Sequence, residues 1–489
     1  MVMRLTRRAL LSGAVSALAT TAYAEAPFTS LRPIARVPAR DAIAKMVSSR
    51  ATSGVVGVVV ADMQSGEILE DIDGTIAQPP ASVTKAFTAL YALEALGAQH
   101  TFETRIFADG PVNNGVLDGN LILAGGGDPN LVTDQIAELA KRLKDTGLRE
   151  VRGNLLVWDN ALTNLDEIDD SQMDHLGYNP TITGLNLNFN RVHFEWKQDG
   201  ADYVTTMDAR SENYRPEVTT ARIAIVDRAV PVFTYRDGGN VDQWTVARGA
   251  LNKEGSRWLP VRHPALYAGE VFAVFARSHG IVLKTPQETA ERPEGVPLVR
   301  YASAPLSEMM QSMLRFSTNI TAEAAGLAAT ATRVGAQRGL RTSALSMALW
   351  AARRAEGIAP QFVDHSGLGD AARVSPRDMV RLLMAQNVMP TLQPILRDIA
   401  LVGEDGQAID DPQIAVKAKT GTLNFVSTLA GYVRTKSGRD LAFAIFASDL
   451  EAREAGKRQG VESPTGARSW NTWSRRLQQD ILRHLALRV

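Results

Sequence analysis

Ser82 and Lys85 lie three positions apart in an Ala- and Leu-rich stretch that reads as a helix over 82–96, stopped by Gly97. Residues at that spacing share a helix face, so the two side chains can meet. A serine hydroxyl becomes a useful nucleophile when a neighbouring base takes its proton, and a lysine amine is such a base once it is neutral. Burial and a second positive charge nearby both favour the neutral amine; Lys419 is the candidate for that second charge. Backbone N–H groups at a helix start can hold the oxyanion formed when such a serine attacks a carbonyl. Alone, the Ser-x-x-Lys pair carries little weight, because it recurs by chance on solvated helix faces.

Two further clusters follow in order. Ser317-Thr318-Asn319 comes after a helical stretch carrying Met309, Met310, Met313 and Leu314. A serine within reach of the lysine can relay a proton to a leaving amine, and an asparagine can orient the lysine and bond a substrate amide. Lys419-Thr420-Gly421-Thr422 precedes an apolar strand pair. Lys419 offers charge for a carboxylate, Thr420 and Thr422 offer hydroxyl donors, and Gly421 lets a substrate backbone approach as an added strand. A solvent-facing edge strand would explain Lys and Thr there, but not all four residues in this order.

Bringing these clusters together requires a scaffold drawn from distant parts of the chain. The apolar run 54–62, the turn Gln64-Ser65-Gly66 and the segment 67–70 read as a hairpin, and 427–435 and 441–448 read as two more strands. All four are expected in one antiparallel sheet. A short helix is expected over 41–48, and a terminal helix places Trp470, Trp473, Leu477, Ile481 and Leu485 in a stripe suited to a sheet face. The competing use of that stripe, contact with a membrane surface, is the less common one. Residues 98–285 form an insertion that a minimal enzyme of this chemistry does not need. Within it 116–123, 132–145 and 153–158 read as a small β-α-β unit, 185–189 and 222–226 as strands, and 268–278 as a helix. The turn Gly125-Gly126-Gly127-Asp128-Pro129-Asn130 lacks both the dinucleotide pattern and a P-loop lysine, so it reads as a structural turn.

The chain of 489 residues is long enough for two or three domains, and 45% hydrophobic content fits a globular protein. Lys+Arg 53 balance Asp+Glu 53, so no charge excess points to nucleic acid. Cys 0 excludes disulfides, thiolate zinc sites and a cysteine nucleophile, and the seven His fall at no metal-binding helical spacing. No metal or organic cofactor is implied. Arg4, Arg7 and Arg8 precede the apolar stretch 9–20, and Ala22-Tyr23-Ala24 offers the small residues a signal peptidase reads. Residues 1–24 are therefore expected to be an export signal, with the twin-arginine route preferred for Thr6-Arg7-Arg8-Ala9-Leu10-Leu11. No segment reaches the ~20 apolar residues of a transmembrane helix.

Through its three clusters the chain resembles the class C low-molecular-mass penicillin-binding proteins, D-alanyl-D-alanine carboxypeptidases/endopeptidases that trim peptidoglycan. The resemblance extends through Gln78-Pro79-Pro80-Ala81-Ser82, Gly126-Gly127-Asp128-Pro129, Tyr178-Asn179-Pro180 with Leu185-Asn186-Leu187-Asn188, Asp364-His365-Ser366-Gly367-Leu368 with Arg373-Val374-Ser375-Pro376, and 418–431. It implies a multi-domain α/β fold: a transpeptidase/β-lactamase-like domain with an antiparallel sheet flanked by helices, interrupted by a β-rich inserted domain that carries a small α/β subdomain. On that template the catalytic domain is expected over 25–97 and 286–489, the β-rich domain over 98–111 and 181–285, and the nested subdomain over 112–180.

The resemblance also implies roles. Ser82 would be acylated with Lys85 as its base, Ser317 and Asn319 would serve proton relay and substrate contact, and Lys419, Thr420, Gly421 and Thr422 would form the carboxylate site. Backbone N–H groups of Ser82 and Thr422 would make the oxyanion hole. The implied partners are peptidoglycan peptides and covalently bound β-lactams, and the implied location is the periplasm. Two positions depart from the family pattern: Thr318 stands where Asp is common, and His365 where Gly is usual. The segment 401–415 is also shorter than usual and acidic, with Glu404, Asp405, Asp410 and Asp411. Two other readings compete. A serine β-lactamase or esterase shares the first and third clusters, but the length, the insertion and the lack of a Glu-containing deacylation motif count against it. A non-catalytic wall-binding protein ranks last, since every catalytic residue type is present. Preference between carboxypeptidase and endopeptidase activity, and the oligomeric state, stay open at this level.

Overall fold

The computed structural model describes residues 39–50, 53–337 and 339–489, and the expected export signal over 1–24 lies outside them. Six antiparallel strands form the central sheet in the order Arg397–Asp398, Ala415–Leu423, Val426–Arg434, Asp440–Ser448, Val55–Asp62, Ile68–Ile72. Val55 lies opposite Ser448 and Asp62 opposite Leu441, so strands from the two ends of the chain pair along their whole length. The four expected strands are all present.

Side-chain alternation in these strands explains the layers, because successive residues point to opposite faces. Val56, Val58 and Val60 pack with Ile43 of the helix Ala39–Arg50 and with Trp470, Leu477, Ile481 and Leu485 of the helix Ala467–Arg488. The Trp-Leu stripe is thus spent on the sheet. Val59 and Ala61 face the other way, into a core with Phe87 and Leu90 of the helix Thr84–Leu96 and with Met309, Met313 and Met379. A sheet covered on both faces reads as continuous apolar strands, as in Val426–Arg434 and Asp440–Ser448.

Three strands of the insertion and two that follow 285 form a second, mixed sheet, in the order Gln287–Glu288, Leu155–Trp158, Leu121–Ala124, Glu103–Ala108, Val299–Ala302. Leu121–Ala124 and Leu155–Trp158 are parallel and joined by the helix Thr133–Asp145, which is the expected β-α-β unit. Hydrogen-bonded pairing runs across both 111/112 and 285/286, since Glu103–Ala108 pairs with Leu121–Ala124 and with Val299–Ala302. Two three-stranded sheets over 191–260 supply the β-rich part.

The strand expected over 185–189 is absent. The alternation of Leu and Asn there has another cause: Leu185 and Leu187 are core residues, while the buried Asn186, Asn188 and Asn190 bond backbone groups. Asn190 accepts from Leu187 N–H at 2.9 Å and donates to the Thr181 carbonyl at 2.8 Å. Asn188, Phe189 and Asn190 all have positive φ, a conformation asparagine tolerates and a strand excludes.

Candidate active site

Ala81–Val83 form a single 3-10 turn before the helix Thr84–Leu96, so Ser82 sits at the mouth of the helix and not inside it. Ala81 has φ 47, a left-handed conformation that costs a residue with a Cβ on the order of 1 kcal/mol. Two glycines hold that turn. A Cβ on Gly367 would lie 1.9 Å from the Ala81 carbonyl oxygen, and one on Gly421 would lie 2.8 Å from the Pro80 carbonyl oxygen and 2.2 Å from Thr428 Oγ1. Thr428 Oγ1 donates to that Pro80 carbonyl at 2.8 Å. The Ala415–Leu423 strand and the 364–369 loop therefore close on the serine from two sides.

Lys85 is fully buried, with Nζ 3.0 Å from Ser82 Oγ, 2.7 Å from Asn319 Oδ1 and 2.8 Å from the Ser366 carbonyl oxygen. The two carbonyl-type oxygens can only accept. A neutral amine has two protons and one lone pair, so the two oxygens take the protons and the lone pair is left facing the Ser82 hydroxyl. Burial lowers the Lys85 pKa to about 8, against the opposing pull of Glu323 and Asp364.

Lys419 is also buried, and its Nζ donates to Ser317 Oγ at 3.0 Å and to the Thr420 carbonyl at 2.6 Å. Burial first, and the charge of Lys85 second, hold its pKa well below 10.5. The repulsion expected to depress Lys85 is thus felt at Lys419, and Lys85 owes its own shift to burial. Ser317 has φ 61 and caps the helix Leu306–Phe316; the next helix, Asn319–Val334, starts two residues on. That sharp junction aims Ser317 and Asn319 at the two lysines. Thr318 Oγ1 bonds Thr321 Oγ1, which bonds Asn130 of the Gly-rich turn, so that turn braces the second cluster. Thr420 and Thr422, two apart, are both exposed and share the strand face opposite Lys419, and Thr422 lines the cleft.

Three contributors have no role in the sequence reading, which quotes Tyr178 and Asp364 only as part of the resemblance and omits Glu323. Glu323, four residues after Asn319 and hence one turn below it, accepts the N–H groups of His365 at 3.0 Å and Ser366 at 2.8 Å. Asp364 accepts those of Gly367 and Gly369, both at 2.5 Å. Burial, with Asp364 as the next cause, pushes Glu323 up to about 8, and burial likewise raises Asp364. Their backbone bonds fix the loop that presents the Ser366 carbonyl. The third is Tyr178 of the insertion, whose carbonyl accepts Asn319 Nδ2 at 2.8 Å and so sets which way that amide faces.

The cleft above Ser82 has a volume of about 790 Å³. Ser82, Ser317 and Asn319 line its floor, and Gln172, Met173 and Tyr178 of the insertion form one wall. That wall is stitched by two side chains. Asn179 Oδ1 accepts from Ile168 and Asp169 at 2.9 and 3.0 Å. Arg262 donates to the carbonyls of Asp166, Asn179 and Asp174 at 2.7, 3.2 and 3.2 Å. Arg453, Lys457, Glu462 and Arg468 line the opposite rim, where Arg453 and Lys457 both pair with Asp370. Among the described residues no group of His, Asp or Glu could hold a metal ion, and no helix is long and apolar enough to cross a membrane.

Sheet, helix layers and cleft together define a serine peptidase. The chain belongs to the D-Ala-D-Ala carboxypeptidase 3 (S13) family, whose profile matches residues 39–464, and it is an enzyme of that class. It is 28% identical to a D-alanyl-D-alanine carboxypeptidase of Actinomadura sp. (strain R39), over 88% of this chain and 86% of the relative. It is 26% identical to the D-alanyl-D-alanine carboxypeptidase DacB of Haemophilus influenzae, over 81% of this chain and 87% of that one. The crystal structure of penicillin binding protein 4 (dacB) from Haemophilus influenzae superposes with a TM-score of 0.71 at 22% identity, covering 90% of this chain and 99% of the other. The expected multi-domain α/β fold is therefore the fold observed.

Proposed function

We propose that the protein is a periplasmic D-alanyl-D-alanine carboxypeptidase/endopeptidase that cuts peptidoglycan stem peptides through an acyl-enzyme on Ser82 and binds β-lactams covalently at the same oxygen. The observation that carries this reading is the 3.0 Å approach of Lys85 Nζ to Ser82 Oγ, with the amine's other contacts both made to acceptors. Ser82 Oγ attacks the carbonyl carbon of the penultimate D-alanine while its proton passes to Lys85. Backbone N–H groups of Ser82 and Thr422 hold the oxyanion. As the tetrahedral adduct collapses, the C–N bond breaks and the leaving amine takes, through the Ser317 hydroxyl, the proton that Lys85 had received, while Lys419 Nζ holds Ser317 Oγ in place. Lys419, Thr420, Gly421 and Thr422 form the site for the terminal carboxylate, and Arg468 adds a positive charge to the cleft lining. A water then attacks the ester, giving its proton to Lys85, and Oγ recovers a proton as it leaves.

A β-lactam offers the same amide, but its leaving amine stays tethered to the acyl group, so the ester persists. A related Haemophilus influenzae structure is a complex with a β-lactam, which supports this part of the reading. The N-terminal Arg residues and apolar stretch support export. Intact-mass measurement after incubation with benzylpenicillin, alongside D-alanine release from a pentapeptide, tests the proposal. One adduct is expected on the wild type and none on Ser82→Ala. An adduct that survives the substitution identifies a different nucleophile, and rapid penicillin turnover without a lasting adduct favours a β-lactamase.

A further inference from the structure

We infer that His365 is a positioning residue for acylation: its imidazole fixes the 364–366 segment so that the Ser366 carbonyl holds Lys85 with its lone pair toward Ser82. The inference rests on the Ser82–Lys85 reading above. His365 does not touch the cleft. It is wholly buried beneath it; its backbone groups reach two helices that carry the site, and its ring is anchored to a third helix behind them. Its N–H donates to Glu323 at 3.0 Å and its carbonyl accepts Thr88 Oγ1 at 2.5 Å, tying it to the Asn319 helix and to the Lys85 helix. Its Nε2 lies 2.8 Å from Ser343 Oγ in a third helix, Leu340–Arg354, and its Nδ1 lies 3.5 Å from Met347 Sδ in the same helix.

The chain of hydroxyls beyond the ring assigns its proton. Ser343 Oγ donates to Thr330 Oγ1 at 2.8 Å, and Thr330 Oγ1 is 3.0 Å from the Tyr91 hydroxyl. Ser343 has one proton and has spent it, so it accepts from Nε2–H. The ring also lies parallel to Tyr91, with centroids 6.4 Å apart and planes 9° apart. Burial holds the imidazole pKa down at about 3, so the ring stays neutral and does not exchange protons with the site. Its function is shape and a hydrogen bond.

A second residue bears the imprint of this ring. Gly326 sits in the interior of the helix Asn319–Val334, where glycine weakens a helix. A Cβ there would lie 2.2 Å from His365 Cγ and 2.4 Å from Nδ1. The glycine makes the space that the histidine fills. Because the next carbonyl along from His365 is the one 2.8 Å from Lys85 Nζ, a ring that shifts carries the amine with it. Lys85 also faces Glu323 from the helix, Asp364 from the loop and Lys419 from the strand, so displacement of 364–366 alters the charge around the amine as well as its aim.

The test is the second-order acylation rate with a fluorescent penicillin as a function of pH. Variants are His365→Ala, His365→Gln, Gly326→Ala and the His365→Ala/Gly326→Ala pair. His365→Ala should lose about tenfold or more in acylation, with its pH limb displaced. His365→Gln, whose side-chain amide N–H can replace Nε2–H, should stay within about threefold of wild type. Gly326→Ala should resemble His365→Ala, and the pair should be no worse than either single change. A folded His365→Ala that acylates at the wild-type rate with an unmoved limb overturns the inference. If that variant does not fold, Gly326→Ala at the wild-type rate overturns it instead. A wild type that takes no label on Ser82 overturns the underlying reading of the nucleophile, a separate result.

Discussion

If Lys85 is the base for Ser82, acylation should track the fraction of Lys85 that is neutral. Deprotonation creates the base, so the rate rises with pH and levels once the amine is fully neutral. With a pKa of about 8, roughly one amine in eleven is neutral at pH 7, against roughly one in three thousand for an unperturbed lysine. The rate should therefore climb about tenfold per pH unit below about 8 and flatten above it. The depression from 10.5 to about 8 amounts to about 3 kcal/mol. That figure is a net of burial, which lowers the pKa, and the charges of Glu323 and Asp364, which raise it. Glu323 is itself pushed up to about 8 and so carries its charge mainly on the upper part of the limb; Glu323→Gln removes that charge in nearly the same volume, so the upper part of the limb should move to lower pH even as the loop loses a carboxylate acceptor and the plateau falls. Stopped-flow labelling with a fluorescent penicillin at constant ionic strength from about pH 6 to about pH 10 reads both quantities. A flat profile in the wild type, or a limb that moves upward in Glu323→Gln, would refute the assignment of Lys85 as the titrating base.

Three further outcomes follow from the geometry. Gly421→Ala places a Cβ 2.2 Å from Thr428 Oγ1 and 2.8 Å from the Pro80 carbonyl; it should slow acylation by about a hundredfold and cost ~1–3 kcal/mol in urea unfolding, and a wild-type acylation rate would show that strand and serine turn are not in contact. Arg262→Ala removes three bonds to the cleft wall; KM for a stem pentapeptide should rise several-fold and limited proteolysis should open 166–180, while an unchanged KM would release the wall from any part in substrate binding. Stability should increase with pH between about 8 and 10.5, because there the unfolded chain keeps a Lys85 proton that the folded chain has lost; Lys85→Met should flatten that slope in denaturant titrations, and an identical slope in the variant would assign it to other groups.

The hairpin from Val55 and the two C-terminal strands are legible because long β-branched and apolar runs bounded by Gly and Ser turns admit few other readings. The three clusters are legible because their chemistry is carried by residue type and order. What the local pattern hides is pairing at long range: nothing in Val299–Ala302 announces that it lies beside Glu103–Ala108. The run Leu185-Asn186-Leu187-Asn188 has a strand's period but spends its asparagines on backbone groups in left-handed turns. Glu323 and Asp364 look like surface residues in sequence, since buried acids are rare. The signal that could have found Glu323 is its spacing of four from Asn319. For Asp364 it is the pair of glycines that follow, whose N–H groups need an acceptor.

The pairing of Val55–Asp62 with Asp440–Ser448 has an implication for the timing of activity. The segment bearing Ser82, the proposed nucleophile, is synthesised early, yet the strand that pairs with its neighbour and the strand bearing Lys419 arrive only near the end of translation. The strands of the second sheet all lie within 103–302, so a C-terminally clipped chain keeps the sequence of that sheet but lacks the strands beside Ser82. The sheet under Ser82 therefore exists only in a chain that has both of its ends in place.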